Sequence, residues 1–184
     1  VDYTFWGHCD IDLIWGHLSN FITDDILCNY DLIGMYGHLM LYRNTEYMNN
    51  LYKLNGGTFS YKEVFSNPEN YSFDEMSGMD LIANKNKVKH FKDLKIINVS
   101  PDYNRFKMNS TKSEPEYFVW EHGKILRIYG TDAQYSEEYA YFHFSGKKPE
   151  NKVSAQGIKN ANIYLSAKQL TDRTSNIATV NELR

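Results

Sequence analysis

Phe5-Trp6-Gly7-His8-Cys9-Asp10-Ile11-Asp12 is the stretch on which the reading of the fold turns. Residues Tyr3 to Trp6 are aromatic or β-branched, which predicts a strand buried in a sheet. Gly7 is expected to let the backbone leave that strand. Asp10 and Asp12 follow, separated by the apolar Ile11. Where extended backbone gives way to a turn, two carboxylates spaced this way can converge on one hard cation. Mg²⁺ and Mn²⁺ favour carboxylate and phosphate oxygens alike, so the pair would dock a diphosphate through the metal. Twelve aspartates in 184 residues give about one D-x-D triplet by chance. The weight of this one comes from the strand running into it and from Leu13-Ile14-Trp15-Gly16 behind it.

A chain of 184 residues can bury one good core and is expected to form one domain. Hydrophobic content of 42% with 15% aromatic residues excludes a disordered chain. A net charge of −3 leaves no electrostatic footprint for nucleic acid. The fifteen tyrosines suit half-buried strands, and they also suit sugar clefts, where a ring covers a pyranose face. Cys9 and Cys28 form no C-x-x-C, so neither a disulfide scaffold nor a zinc site is indicated. No run has the length to span a bilayer and no signal peptide precedes the first strand, so the expectation is a cytoplasmic protein, working as far as the inner face of the membrane. The triplets Asn70-Tyr71-Ser72, Asn98-Val99-Ser100 and Asn109-Ser110-Thr111 fit the glycosylation sequon, and without a secretion signal they read as accidental.

Along the chain, Thr23 predicts an N-cap for a short helix with Asp24 and Asp25 in its first turn. Strands are predicted over Asp31 to Tyr36 and Leu39 to Arg43, with Asn44 capping a helix over Thr45 to Lys53. Tyr61 to Phe65 reads as one helical turn, stopped near Asn67-Pro68. Ser72-Phe73-Asp74-Glu75 is expected to open the clearest helix, with Met79, Ile82 and Ala83 at helical spacing. Ile96 to Val99 reads as a strand. Phe118 to Glu121 and Lys124 to Tyr129 form a hairpin through His122-Gly123, and Glu138 to Phe144 is a further strand. The expected class is α/β, a mixed sheet flanked by helices. Residues 153–184 read as a polar C-terminal extension to the part of the domain over residues 1–152.

Tyr141-Phe142-His143-Phe144-Ser145-Gly146-Lys147-Lys148-Pro149 is the second cluster with chemistry in it. A neutral histidine is a good Mn²⁺ ligand, a lysine beside it neutralises a phosphate, and Gly146 permits close backbone approach. A solvated basic turn at a strand end would look the same. Asp74-Glu75 is a third candidate, where a carboxylate either caps a helix or points into a cleft.

These residues together resemble the GT-A class of nucleotide-sugar-dependent glycosyltransferases. The run from Phe5 to Gly16, followed by Gly37-His38-Leu39-Met40-Leu41-Tyr42-Arg43-Asn44, is similar to a bacterial group associated with capsular and other surface polysaccharide synthesis. Tyr61-Lys62-Glu63-Val64-Phe65 and Phe73-Asp74-Glu75 are similar to that group as well. The resemblance implies that Asp10 and Asp12 are the DxD motif and that His143 is the C-terminal metal-binding histidine. The cofactor would be Mn²⁺ or Mg²⁺. The run from His143 to Pro149 is similar to the H-x-x-G-x-x-K-P run of glycogenin-like transferases, one residue shorter. The phosphate lysine is therefore Lys147 or Lys148, beside Gly146. Asp74 and Glu75 match the acceptor-side acid of the class. Donor and acceptor would be a nucleotide sugar, most simply a UDP-sugar, and a glycan or lipid-linked sugar.

In that class a nucleotide-binding βαβ half of roughly a hundred residues precedes the DxD strand. This chain starts almost on the strand, so the expectation is the C-terminal part of a transferase, with the N-terminal half missing. In glycosyl transfer the leaving diphosphate gains negative charge, and Asp10, Asp12, His143 and a lysine would stabilise it through the metal. Asp12 and His143 should then lie within about 4–5 Å of one another. Two other classes fit parts of the pattern. A carbohydrate-binding protein would use the tyrosines alone, and a metal-dependent nucleotide-sugar phosphohydrolase would use the same acids and histidine.

Overall fold

The computed structural model describes residues 3–99, 106–107, 117–129, 134–144, 150–152, 162–165 and 169–172. Strands in chain order are β1 Phe5–Cys9, β2 Leu13–Trp15, β3 Leu32–Met35, β4 Leu39–Arg43, β5 His90–Phe91, β6 Ile96–Val99 and β7 Phe106–Lys107. They continue with β8 Tyr117–Glu121, β9 Lys124–Tyr129, β10 Gln134–Tyr139, β11 Tyr141–His143, β12 Glu150–Lys152, β13 Asn162–Leu165 and β14 Gln169–Asp172. The helices are α1 Asp24–Asn29, α2 Glu46–Asn49, α3 Tyr61–Ser66 and α4 Met79–Lys85. The class is mixed α/β. Among the described residues there are three mixed sheets and few helices, where one sheet flanked by helices was expected.

The chain divides into two compact units, Val1–Ile11 with Ile22–Leu94, and Asp12–Phe21 with Lys95–Arg184. The first holds the sheet β1-β4-β3-β5 and, among the described residues, helices α1 to α4. In it β3 and β4 form an antiparallel hairpin, β1 adds antiparallel to β4, and β5 adds parallel to β3. A parallel neighbour requires a crossover, and α2, α3 and α4 lie on that crossover. Leu32, Met40 and Tyr42 from the sheet meet Met48, Leu51, Met79, Ile82 and Ala83 from the crossover in one buried core. The β1 strand is an edge strand, not a buried one, and Trp6 is 44% exposed. Gly7 does not end it. It pairs with Leu41 inside the strand, and a Cβ there would lie 2.2 Å from the Met40 carbonyl oxygen, so glycine serves the close approach of β1 to β4.

Helix starts follow their caps. The hydroxyl of Thr23 accepts from Ile26 N–H as expected. At the next helix the cap is Thr45, which accepts from Met48 N–H, because the Asn44 side chain is engaged with Tyr3 and Asn49. That helix ends at Asn49 and gives way to a 3-10 turn over Leu51–Lys53. Ser72-Phe73-Asp74-Glu75 opens no helix. Ser72 has φ 44°, Glu75 N–H bonds Ser72 O, and Met79 N–H returns to Phe73 O, so residues 73–78 form turns and the helix begins at Met79. Asp74 and Glu75 therefore precede the helix.

One residue ties the elements of this unit together. Arg43, at the end of β4, donates from Nε to Asp31 Oδ1 at 2.8 Å, and from Nη2 to the carbonyls of Leu27 at 2.6 Å and Tyr30 at 2.8 Å. Its charge thus sits on the C-terminal carbonyls of α1, where the helix dipole favours a cation.

The second unit holds two sheets, β2-β11-β6-β7 and β10-β9-β8-β13-β14-β12. His122 and Gly123 both adopt positive φ, 48° and 80°, which makes the predicted β8–β9 hairpin turn. The expected strand over Glu138 to Phe144 is two: β10 pairs with β9 in the larger sheet, and after Ala140 β11 enters the smaller one. Ile97, Phe118, Ile125, Tyr139, Phe142 and Phe144 form the core. Beside it Glu137 accepts from Tyr139 Oη at 2.6 Å, with Lys95 at 3.3 Å and buried Arg127 at 3.5 Å. The Tyr139 hydrogen bond first, then Lys95 and Arg127, hold its carboxyl below the usual range. Within the region 153–184, β13 and β14 join the larger sheet.

Two outcomes follow for the first unit. Arg43→Met should lower stability by about 2–3 kcal/mol, since it strips charge-assisted bonds from partly buried carbonyls, and denaturant melts measure it. His90 donates from Nε2 to Gly34 O at 2.8 Å, and burial, the largest cause, lowers its pKa from 6.5. The folded state then holds fewer protons than the unfolded chain below that value. Its contribution is complete above about pH 6.5 and is lost as the pH falls toward the depressed folded value. Melts at pH 7.5 and 5.5 should show a larger acid loss for the native protein than for His90→Gln.

Candidate functional site

In the second unit, β11 is the strand that assembles the site. It runs antiparallel to β2 on one side, placing His143 opposite Leu13, and parallel to β6 on the other, placing His143 opposite Asn98. Asp12 immediately precedes β2, and its carbonyl accepts from Phe144 N–H at 3.1 Å. Three side chains from distant parts of the sequence thus share one end of one sheet. His143 is 6% exposed. Its Nδ1 lies 3.0 Å from Asn98 Oδ1, and its Nε2 lies 3.3 Å from Asp12 Oδ1.

The chemistry follows from the ring. With an amide oxygen at Nδ1, the ring hydrogen of a neutral imidazole belongs there and Nε2 is the acceptor atom. A nitrogen lone pair and a carboxylate oxygen side by side call for a positive charge, a proton or a metal ion. Adjacent ligand atoms of an octahedral ion with bonds near 2.1 Å stand roughly 3 Å apart, which the 3.3 Å separation fits. The expected proximity of Asp12 and His143 is therefore present. Asn98 orients the His143 ring from behind. In the sequence Asn98 stands out only as part of a sequon, and no local signal marks its place beside His143, because the two meet through strand register across 45 positions.

Asp10 belongs to the first unit, following β1, so the two acids of the D-x-D triplet fall in different units. Its N–H donates to the His38 carbonyl at 2.9 Å, at the tip of the β3–β4 hairpin. That tip is unusual. Tyr36 has φ 58°, a left-handed conformation rare for a bulky residue, and Gly37 has φ 81°. Strain of this kind concentrates at functional sites. A Cβ on Gly37 would lie 3.0 Å from Glu75 Cγ and 3.7 Å from Asp74 Oδ2, so the Asp74-Glu75 turn packs on the same tip. Asp10, His38, Asp74 and Glu75 accordingly gather at one end of the four-stranded sheet.

Beside that end lies a cavity of about 350 Å³, lined mainly by Trp6, His8, Tyr42, Tyr52, Phe65 and Phe73, with Asp74. Trp6 and His8 share one face of β1 by strand alternation, and both stack on Tyr42, at 4.7 and 6.0 Å between centroids. Trp6 Nε1 donates to Asn49 Oδ1 at 2.6 Å. Burial pushes the Tyr42 hydroxyl well up, and the charges of Asp74 and Asp80 push it further. Gly146, Lys147 and Lys148 lie outside the described residues.

Residues 1–173 match the family described as a family of unknown function, DUF6625, and the chain belongs to that family. No curated protein matches the chain. Nor does any solved structure match it. Among the described residues no helix is long and apolar enough to cross a membrane.

If Asn98 orients a metal-binding His143, Asn98→Ala should weaken Mn²⁺ binding about 10–100-fold, the usual effect of removing such a support. Calorimetric titration with Mn²⁺ reads the change, and an unaltered far-ultraviolet dichroism spectrum should accompany it.

Proposed function

We propose that this member of DUF6625 is a metal-dependent glycosyltransferase, moving a sugar from a nucleotide-diphosphate donor to a glycan or lipid-linked acceptor in surface polysaccharide synthesis. The observation that carries the reading is the Asp12–His143 contact with Asn98 behind it. An imidazole in the set favours Mn²⁺ over Mg²⁺, which prefers oxygen ligands alone. Asp12 and His143 would hold the ion. The ion would supply Lewis-acid stabilisation of the charge that develops on the leaving diphosphate. Asn98 keeps the His143 lone pair turned toward Asp12, so the ligand pair is preorganised.

Asp74 and Glu75 are proposed for the acceptor side. A carboxylate in a turn, ahead of the helix, is not committed to capping, and Asp74 reaches a cavity. There it would orient an acceptor hydroxyl or take its proton. Lys147 or Lys148, with Gly146, would answer the diphosphate charge.

The experiment is nucleotide binding by the purified chain, read calorimetrically with UDP in the presence and absence of Mn²⁺. UDP should bind only with Mn²⁺, and Asp12→Asn and His143→Ala should each reduce that binding at least about tenfold. Equal binding with and without the ion, or none in either case, overturns the metal reading. Incubation with UDP-sugars, with and without added glycan, separates transfer from hydrolysis: sugar release without an acceptor requirement would make the protein a phosphohydrolase.

A further inference from the structure

The cavity of the first unit has walls and charge of a particular kind. Rings form most of it: Trp6 and Tyr42 stacked on the sheet side, and Tyr52, Phe65 and Phe73 linked at 5.9 and 6.2 Å between centroids on the other. Among the described residues one carboxylate, Asp74, reaches it, and no lysine or arginine lines it. Among the described residues Asp74 forms no ion pair, whereas nearby Asp80 is held by Lys92 at 2.9 Å. Trp6 and Phe65 are 44% and 67% exposed, so the cavity is open to solvent on that side.

Three ligand chemistries can be weighed against these walls. An anion would meet aromatic faces and the Asp74 carboxylate, both of negative potential, with the His8 imidazole as the other polar group in the wall. A free hexose would bring several hydroxyls to walls that offer few hydrogen-bonding partners, and each one left unsatisfied costs about 1–3 kcal/mol. A cation wrapped in methyl groups satisfies both features at once. Its carbon surface contacts the rings, and its charge is attracted by their faces and by the acid. One ring of the set already receives a cation, since Lys53 Nζ stands 5.3 Å over Tyr52.

We propose that this cavity binds an alkylated ammonium group, the head of a choline-type compound, between the aromatic rings with Asp74 as its counter-charge. The site lies wholly in the first unit and needs neither metal nor nucleotide, and it shares Asp74 and its cavity with the acceptor side proposed above.

The test uses the full chain without metal or nucleotide, titrated with choline and followed by tryptophan fluorescence and calorimetry. The same titration is run with 3,3-dimethylbutan-1-ol, the uncharged carbon counterpart of choline, and with methyl glucoside. Choline should bind at least about tenfold more tightly than the neutral alcohol, reflecting the desolvated cation–ring and carboxylate attraction. Asp74→Asn should weaken choline about tenfold and leave the alcohol unchanged. Phe65→Ala, at an exposed position that the fold tolerates, should weaken both. Equal binding of choline and the alcohol would make the cavity a plain apolar pocket and overturn the proposal. Binding of the glucoside without choline would overturn it in favour of a sugar subsite, and absence of binding by all three overturns it outright.

Discussion

The position of β11 between an antiparallel and a parallel neighbour is the constraint on which the candidate metal site depends. A strand in the middle of a sheet has both edges satisfied by backbone bonds, so its register is fixed on two sides at once. Through β2 that register brings Asp12 to the imidazole, and through β6 it brings Asn98. The ring is buried and held at both nitrogens before any ligand arrives. Preorganisation of this kind lets a short contact hold its geometry without the entropy cost of ordering exposed side chains.

The first unit reaches its own arrangement by a different route. Its crossover core sets the sheet, and Arg43 clamps the end of β4 to α1 through carbonyls that a helix terminus leaves without internal partners. At the opposite end of that strand the tight hairpin around Gly37 brings the Asp74-Glu75 turn and the residue after β1 together. The carboxylates there are placed by backbone turns. Aromatic residues that a propensity scale assigns simply to strands and helices form, on the adjoining face, a cavity with a single acid.

Local signals carried much of the fold. The Thr23 cap, the strand over Leu39 to Arg43, the strand over Ile96 to Val99 and the His122-Gly123 hairpin are all where short-range chemistry puts them. The errors share a cause. Asn44 looked like a cap, but its amide was taken by partners that lie five and 41 positions away. Asp74-Glu75 looked like a helix start, but Ser72 turned the chain first. Gly7 looked like an exit, but a neighbouring strand needed its missing side chain.

The sequence by itself determined which residues could do chemistry, because side-chain type and spacing state ligand capacity without reference to any neighbour. Asp12 and His143 stood out as candidates for that reason. Only the tertiary structure decided which of them meet. Asn98 joined the site through parallel register, Asp10 fell to a different unit from Asp12, and Trp6, Tyr42 and Phe65 became walls of one cavity. Pairing between strands is set by the burial of whole faces, a property of the assembled sheet that no single stretch of sequence contains.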